Sequence, residues 1–107
     1  MPGDGVQVLW PLVLGPIRGS YFLWTAQTLS AREAQDLGVV NEVLPSDCLQ
    51  ARADEVARQL LALPPLTRRY TRAALGHRIR RLLHEGVGYG LALEGISAQD
   101  LPNQAEG

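Results

Sequence analysis

The sequence predicts a mostly α-helical chain with one short strand, and three observations carry that prediction. Apolar residues recur at helical spacing along most of its length. The stretch Val39-Val-Asn-Glu-Val-Leu44, closed by Pro45, is the one convincing strand pattern. With 107 residues, 46% hydrophobic and 20% charged, the chain fits one domain and lacks the composition of a disordered segment.

Taken in order, Pro2-Gly3-Asp4-Gly5 has the composition of a turn. Val6–Leu14 follows, mostly apolar, interrupted by Pro11 and ended by Gly15-Pro16. Between Ile17 and Ala26, the residues Ile17, Tyr21 and Trp24 fall at i, i+4 and i+7, with Phe22 and Leu23 beside them. That is the spacing of a short amphipathic helix. Ser30-Ala-Arg-Glu33 is a capping box, in which the serine accepts from the amide three residues on and the glutamate reaches back. A helix Ala31–Leu37 should follow, stopped by Gly38 in the left-handed conformation. Asp47 and Gln50 offer a second cap, to a helix with Leu49, Ala53, Val56, Ala57, Leu60 and Leu61 on one core-facing stripe. Pro64-Pro65 ends that helix and can start the next, Leu66–Leu83, patterned by Leu66, Tyr70, Ala73, Ala74, Ile79, Leu82 and Leu83. A last helix, about Glu85–Asp100, carries Gly86, Gly88, Gly90 and Gly95. Each internal glycine costs about 0.5–1 kcal/mol against alanine, so close packing against another backbone is the expected compensation. The polar tail from Pro102 should fray.

The lone strand raises a question of its own. Its backbone groups need a partner and it cannot pair with itself. Either it is an edge feature of a helical domain, or its sheet lies elsewhere.

Composition narrows the function classes. A net charge of −1 argues against a dedicated nucleic-acid binder. The charge-free runs Gly5–Ile17 and Gly19–Ala31 are broken by proline, glycine or polar residues and fall short of the roughly 18–20 apolar residues a membrane span needs. No charged region precedes an apolar core at the N-terminus, so no signal peptide is expected. Cys48 is alone and cannot form an internal disulfide, in keeping with a reducing, cytoplasmic setting.

Two acids stand out by isolation. Asp4 is the only charged side chain before Arg18, and Glu94 the only one between Glu85 and Asp100. Val87, Leu91, Glu94 and Ala98 share one face of the last helix, which places the carboxylate in an apolar stripe. A carboxylate there is costly unless partnered, and is a candidate acid or base. The plainer readings stay open: Asp4 as a cap of the following helix, Glu94 as the partner of an arginine or as a solvent-facing group. Arg58, Arg68, Arg69, Arg72, Arg78, Arg80 and Arg81 fall between Glu55 and Glu85 with no acid among them. They form either a solvated helix face or a phosphate-binding one. His77 and His84 share a helical face but have no companions at metal-binding spacing, and no serine has a nucleophile-elbow context.

Trp24-Thr-Ala-Gln-Thr-Leu-Ser-Ala-Arg-Glu-Ala-Gln-Asp-Leu-Gly-Val-Val-Asn-Glu-Val-Leu-Pro45 resembles a stretch of the crotonase (enoyl-CoA hydratase/isomerase) superfamily. Ala62–Leu75 resembles the segment that follows it there, and the likeness extends over residues 2–100. The resemblance implies that residues 1–101 are the C-terminal part of an α/β crotonase (ββα spiral) domain with its trimerisation helices. Residues 102–107 would then be a disordered tail. It also accounts for the orphan strand, because most strands and the two oxyanion-binding amides of that fold belong to the N-terminal part. The chain then reads as a fragment or a truncated gene product, with little activity expected of it alone.

Within the superfamily, the run Pro2-Gly-Asp-Gly-Val-Gln-Val-Leu-Trp-Pro11 is unusual, since typical hydratases carry a small residue and then Gly-Gly-Thr-Gln where this chain has Asp4. Together with Arg18-Gly-Ser-Tyr-Phe-Leu23, Arg68-Arg-Tyr70 and Gly90-Leu-Ala-Leu-Glu94, its Pro2-Gly-Asp-Gly5 start is similar to the β-diketone hydrolases of the 6-oxocamphor type. That likeness implies hydrolysis of a carbon–carbon bond between two carbonyls, with Asp4 and Glu94 as catalytic acids. Asp4 would orient a histidine that activates water, and Glu94 would place water or a proton near the reacting carbonyl. His77 and His84 do not match that histidine. The implied substrate is a small molecule, with no cofactor, metal, nucleic acid or membrane, and the implied assembly is a homotrimer or a dimer of trimers. The alternatives are an enoyl-CoA hydratase/isomerase piece acting on a CoA thioester, which the arginine-rich helix could meet, and a non-catalytic product.

Overall fold

The computed structural model describes residues 1–101; the expected tail 102–107 lies outside them. Five α-helices follow in order: α1 (Val6–Leu14), α2 (Pro16–Trp24), α3 (Ala31–Asp36), α4 (Leu49–Leu61) and α5 (Pro65–Ser97). Single 3-10 turns, Ser46–Cys48 and Ala98–Asp100, precede α4 and follow α5. The chain divides into two compact units, one of Met1–Leu29 with the chain from Ile79 onward, the other Ser30–Arg78.

In the first unit, α1 and α2 form a tight pair. Gly15, at φ 88, separates them, and Pro16 opens α2 in the position proline tolerates best. Gly19 makes the close approach possible. A Cβ there would lie 2.6 Å from the Pro11 nitrogen and 2.8 Å from the Trp10 carbonyl oxygen, so no side chain fits. The Trp10 and Phe22 rings meet at 4.4 Å between centroids, tilted by 39°. The helix predicted from Ile17, Tyr21 and Trp24 therefore forms, but it buries the opposite face. Gly19 and Phe22 turn inward while Ile17 and Trp24 stay 86% and 89% exposed.

The Ser30–Arg78 unit obeys local rules. Ser30 Oγ accepts from the Glu33 N–H at 3.2 Å while Glu33 Oε1 accepts from the Ser30 N–H at 3.4 Å, completing the predicted box. Gly38, at φ 75, ends α3 through two bonds, from its own N–H to Gln35 and from the Val39 N–H to Ala34. This double closure leaves few helix-end carbonyls open.

Three expectations need correction. Val39–Leu44 forms no strand, and none of the described residues is in one. With no neighbouring strand among the described residues to complete a ladder, the segment is held at its start by the Val39 and Val40 N–H groups on the Ala34 carbonyl and beyond that by side chains. Gln35 Nε2 donates to the Asn41 carbonyl at 3.3 Å, and Arg52 Nε bonds Glu42 at 3.0 Å. Arg52 also reaches Glu55 at 3.0 Å, and the Glu55 and Glu42 carboxylates together raise its pKa above the ordinary arginine value. Second, Asp47 and Gln50 do not cap α4. Cys48 occupies the cap position without a side-chain bond to the helix backbone, its Sγ turning to Asp47 Oδ1 at 3.7 Å; Asp47 lies in the preceding 3-10 turn, and Gln50 bonds Asp54 at 3.0 Å. Third, the helices expected at Leu66–Leu83 and Glu85–Asp100 are one continuous α5 that ends at Ser97. Nothing near His84 is a strong breaker; a glycine such as Gly86 costs only about 1 kcal/mol, too little to end a helix where no proline follows.

The apolar stripes are only partly covered. Phe22 and Ala34 are the buried hydrophobic residues among those described, whereas Leu49, Leu60, Leu66 and Tyr70 are exposed. Of the described helices, none is long and apolar enough to cross a membrane.

Candidate active site

Asp4 sits between two glycines in the turn that precedes α1. Gly5 caps α1 at φ 125 and no side chain caps the helix, so Asp4 does not take the capping role its position allowed. Its side chain is exposed, and among the described residues it has no hydrogen bond or ion pair. Glu94 is half-buried on α5, likewise with no ion pair among the described residues. The expected stripe of Val87, Leu91 and Glu94 lies on that helix, while Ala98 falls in the 3-10 turn beyond its end.

The turn and α5 meet where both lack side chains. Gly3, buried, lies against buried Gly90, one helical turn before Glu94. A Cβ on Gly3 would overlap the Gly90 carbonyl and lie 3.0 Å from Glu94 Cβ. A Cβ on Gly90 would in turn collide with the Gly3 carbonyl and the Gln7 amide. The chain segment that presents Asp4 is thus packed on the turn of α5 that presents Glu94. Gly86 is also close-packed, its missing Cβ 2.6 Å from Val8 Cγ2, but among the described residues Gly88 and Gly95 face nothing within 4 Å. Among the described residues, the expected packing against another backbone is present at Gly90, while Gly86 meets a side chain.

Gln7 ties the same parts together by hydrogen bonds. Its Oε1 accepts from the Gly5 N–H at 2.9 Å, and its Nε2 donates to the carbonyls of Gly3 at 3.3 Å and Gly86 at 3.2 Å. Sequence reasoning missed it, although it is the one amide in the otherwise apolar Val6–Leu14 run. Gln7 and Ser20 also line a cleft of about 530 Å³ whose other walls are Met1, Pro2, Pro11, Leu23 and Trp24.

The other candidates stay dispersed. His77 and His84 are exposed on α5, and no group of three or more His, Cys, Asp or Glu side chains among the described residues could hold a metal ion. Of the arginine cluster, Arg81 stands 4.0 Å from Glu85 and Arg69 lies 5.9 Å from the Tyr70 ring centroid, both weak, solvent-exposed arrangements.

Comparison with known proteins places these features. Residues 1–94 match the family described as enoyl-CoA hydratase/isomerase. A β-diketone hydrolase from the cyanobacterium Anabaena sp. PCC 7120, solved with (S)-3-oxocyclohexyl acetic acid bound, is 59% identical over 95% of this chain. It superposes with a TM-score of 0.89, and the match covers 41% of its own length. A 4-chlorobenzoyl coenzyme A dehalogenase from Arthrobacter sp is 44% identical over 50% of this chain and 20% of its own. The mitochondrial enoyl-CoA hydratase domain-containing protein 2 of Bos taurus is 29% identical over 97% of this chain and 36% of its own. The chain therefore spans well under half the length of these relatives. It has the crotonase fold of the segment it matches and belongs to the enoyl-CoA hydratase/isomerase family.

Proposed function

We propose that this chain is the acid-bearing C-terminal portion of a β-diketone hydrolase that cleaves the carbon–carbon bond between two carbonyls. The observation that carries the reading is the 59% identity, over 95% of the chain, to the Anabaena hydrolase. The keto acid bound to that relative has the chemistry such a cleavage leaves behind, one carbonyl oxidation level retained as ketone and the other now a carboxylic acid. In the reaction, water adds to one carbonyl and forms the new carbon–oxygen bond. The tetrahedral oxyanion collapses, the bond to the central carbon breaks, and its electron pair leaves as an enolate that is then protonated.

Asp4 would orient and charge-stabilise a histidine supplied by the rest of the fold, and Glu94 would position water or a proton at the reacting carbonyl. The oxyanion-binding amides would likewise come from the rest of the fold. On this reading the protein works in the cytoplasm as a homotrimer or dimer of trimers, on a small molecule, without cofactor. The likeness to a coenzyme A dehalogenase supports a second reading, a part of an enzyme acting on an acyl-CoA thioester.

A hybrid in which residues 1–101 replace the matching part of the Anabaena hydrolase tests both. Hydrolysis of a bicyclic β-diketone by the hybrid, with no turnover of acyl-CoA, supports the proposal. Turnover of acyl-CoA alone favours the second reading. A folded hybrid active on neither class means the chain is a non-catalytic product.

A further inference from the structure

The amide of Gln7 grips the chain on both sides of Asp4. It accepts from the N–H that follows Asp4 and donates to the carbonyl that precedes it, while the same Nε2 reaches the Gly86 carbonyl on α5, 79 residues away in sequence. Gly5, at φ 125, holds a backbone conformation that side-chain-bearing residues rarely adopt and that glycine reaches without steric cost. Gly3 and Gly90 bring the two backbones into contact but supply no directional bond between side chains. The directional element at the junction is Gln7, which projects from the first turn of α1.

We propose that Gln7 is a positioning residue for Asp4: its amide fixes the Gly3-Asp4-Gly5 turn on the glycine face of α5 and so sets where the Asp4 carboxylate stands relative to Glu94. The proposal rests on the hydrolase reading above. A carboxylate that orients a catalytic partner must hold its place to within a fraction of an ångström, and a displacement of about 1 Å can cost on the order of 100-fold in rate. Replacing the amide leaves Asp4 itself intact and removes the three bonds that place it.

The test is a double-mutant cycle in the hybrid enzyme, with Gln7→Met in the parent and in an Asp4→Asn background. The expected result is a fall in kcat of roughly 10–100-fold with KM changed less than about threefold. In the Asp4→Asn background Gln7→Met should then cost less than about twofold, because the group it positions is gone. An equal loss of kcat in both backgrounds, or a loss confined to thermal stability, overturns the proposal. Should Gln7→Met fail to fold, Gln7→Glu carries the same cycle, since it keeps the acceptor for the Gly5 N–H and loses the donations to Gly3 and Gly86. Asp4→Asn with parental turnover would instead sink the assignment of Asp4 and this inference with it. An impaired Asp4→Asn with fully additive Gln7 variants sinks the inference alone.

Discussion

In Ser30–Arg78, the contacts join residues near one another in sequence: Ser30 with Glu33 and Gly38 with Gln35 at the ends of α3, and Arg52 with Glu55 along α4. In the unit that holds Asp4, the decisive contacts join the first ten residues to α5, through Gly3 on Gly90, Val8 on Gly86 and Gln7 on the Gly86 carbonyl. The first kind of region is assembled from neighbours. The second depends on two distant segments being shaped for each other, and glycine is the residue that lets them touch. A substitution should therefore act locally in one region and on the presentation of both acids in the other.

The largest expected effect is on chemistry. In the hybrid, Asp4→Asn and Glu94→Gln should each lower turnover about 100–10,000-fold, the usual contribution of a positioned acid or base, while the oligomer stays intact. Steady-state kinetics on a bicyclic β-diketone, with size-exclusion chromatography beside them, make the check. Near-parental turnover in both variants would remove these acids from the mechanism.

Next in size is Gly90→Ala. Its methyl group would collide with the Gly3 carbonyl, which is backbone and cannot yield without moving the turn, and with the Gln7 amide, which could yield only by leaving its present hydrogen bonds. Overpacking of this kind costs about 1–3 kcal/mol, read as a lowered thermal midpoint. It should be accompanied by a fall in kcat, since the displaced turn carries Asp4. A variant that melts at the parental temperature would mean that the turn is not docked on α5.

The same contrast explains how far the sequence could be read. The capping box and Gly38 obey rules that reach only three or four residues, and α3 forms as expected, whereas the stripes mark helical spans without fixing their ends, so two expected helices are one α5. The strand fails because a strand is defined by a partner, and the chain offers none among the described residues. The face of α2 was misjudged because hydropathy favours Trp24 and Tyr21, whereas packing is decided by Gly19, which has no side chain to score. At the site, isolation in an uncharged stretch was enough to single out Asp4 and Glu94. The contacts that bring their segments together, through Gly3, Gly90 and Gln7, leave no periodic trace.

Removing the Ser30 hydroxyl probes the neighbour-built region. Ser30→Ala should destabilise α3 by about 1 kcal/mol, because the Glu33 N–H loses its acceptor. Hydrogen exchange should show faster opening of the first turn of α3 with the amides of α1 unchanged and kcat of the hybrid within about twofold, as expected of a site without shared partners. A kcat loss comparable to that of Gly90→Ala would erase the distinction between the two regions.

The smallest effect discriminates most finely, because it compares two glycines two residues apart on one helix. Among the described residues, Gly88 has no atom within 4 Å of where its Cβ would stand, while Gly90 is enclosed. In a helix interior alanine is favoured over glycine by about 0.5–1 kcal/mol, so Gly88→Ala should raise the thermal midpoint of residues 1–107, where Gly90→Ala lowers it. In the hybrid the same substitution becomes a probe of assembly. If Gly88→Ala stabilises there too, that face of α5 stays open in the complete fold. If it destabilises, another backbone covers Gly88 in the assembled enzyme, and its glycine is explained by the kind of contact that Gly90 already shows within the chain.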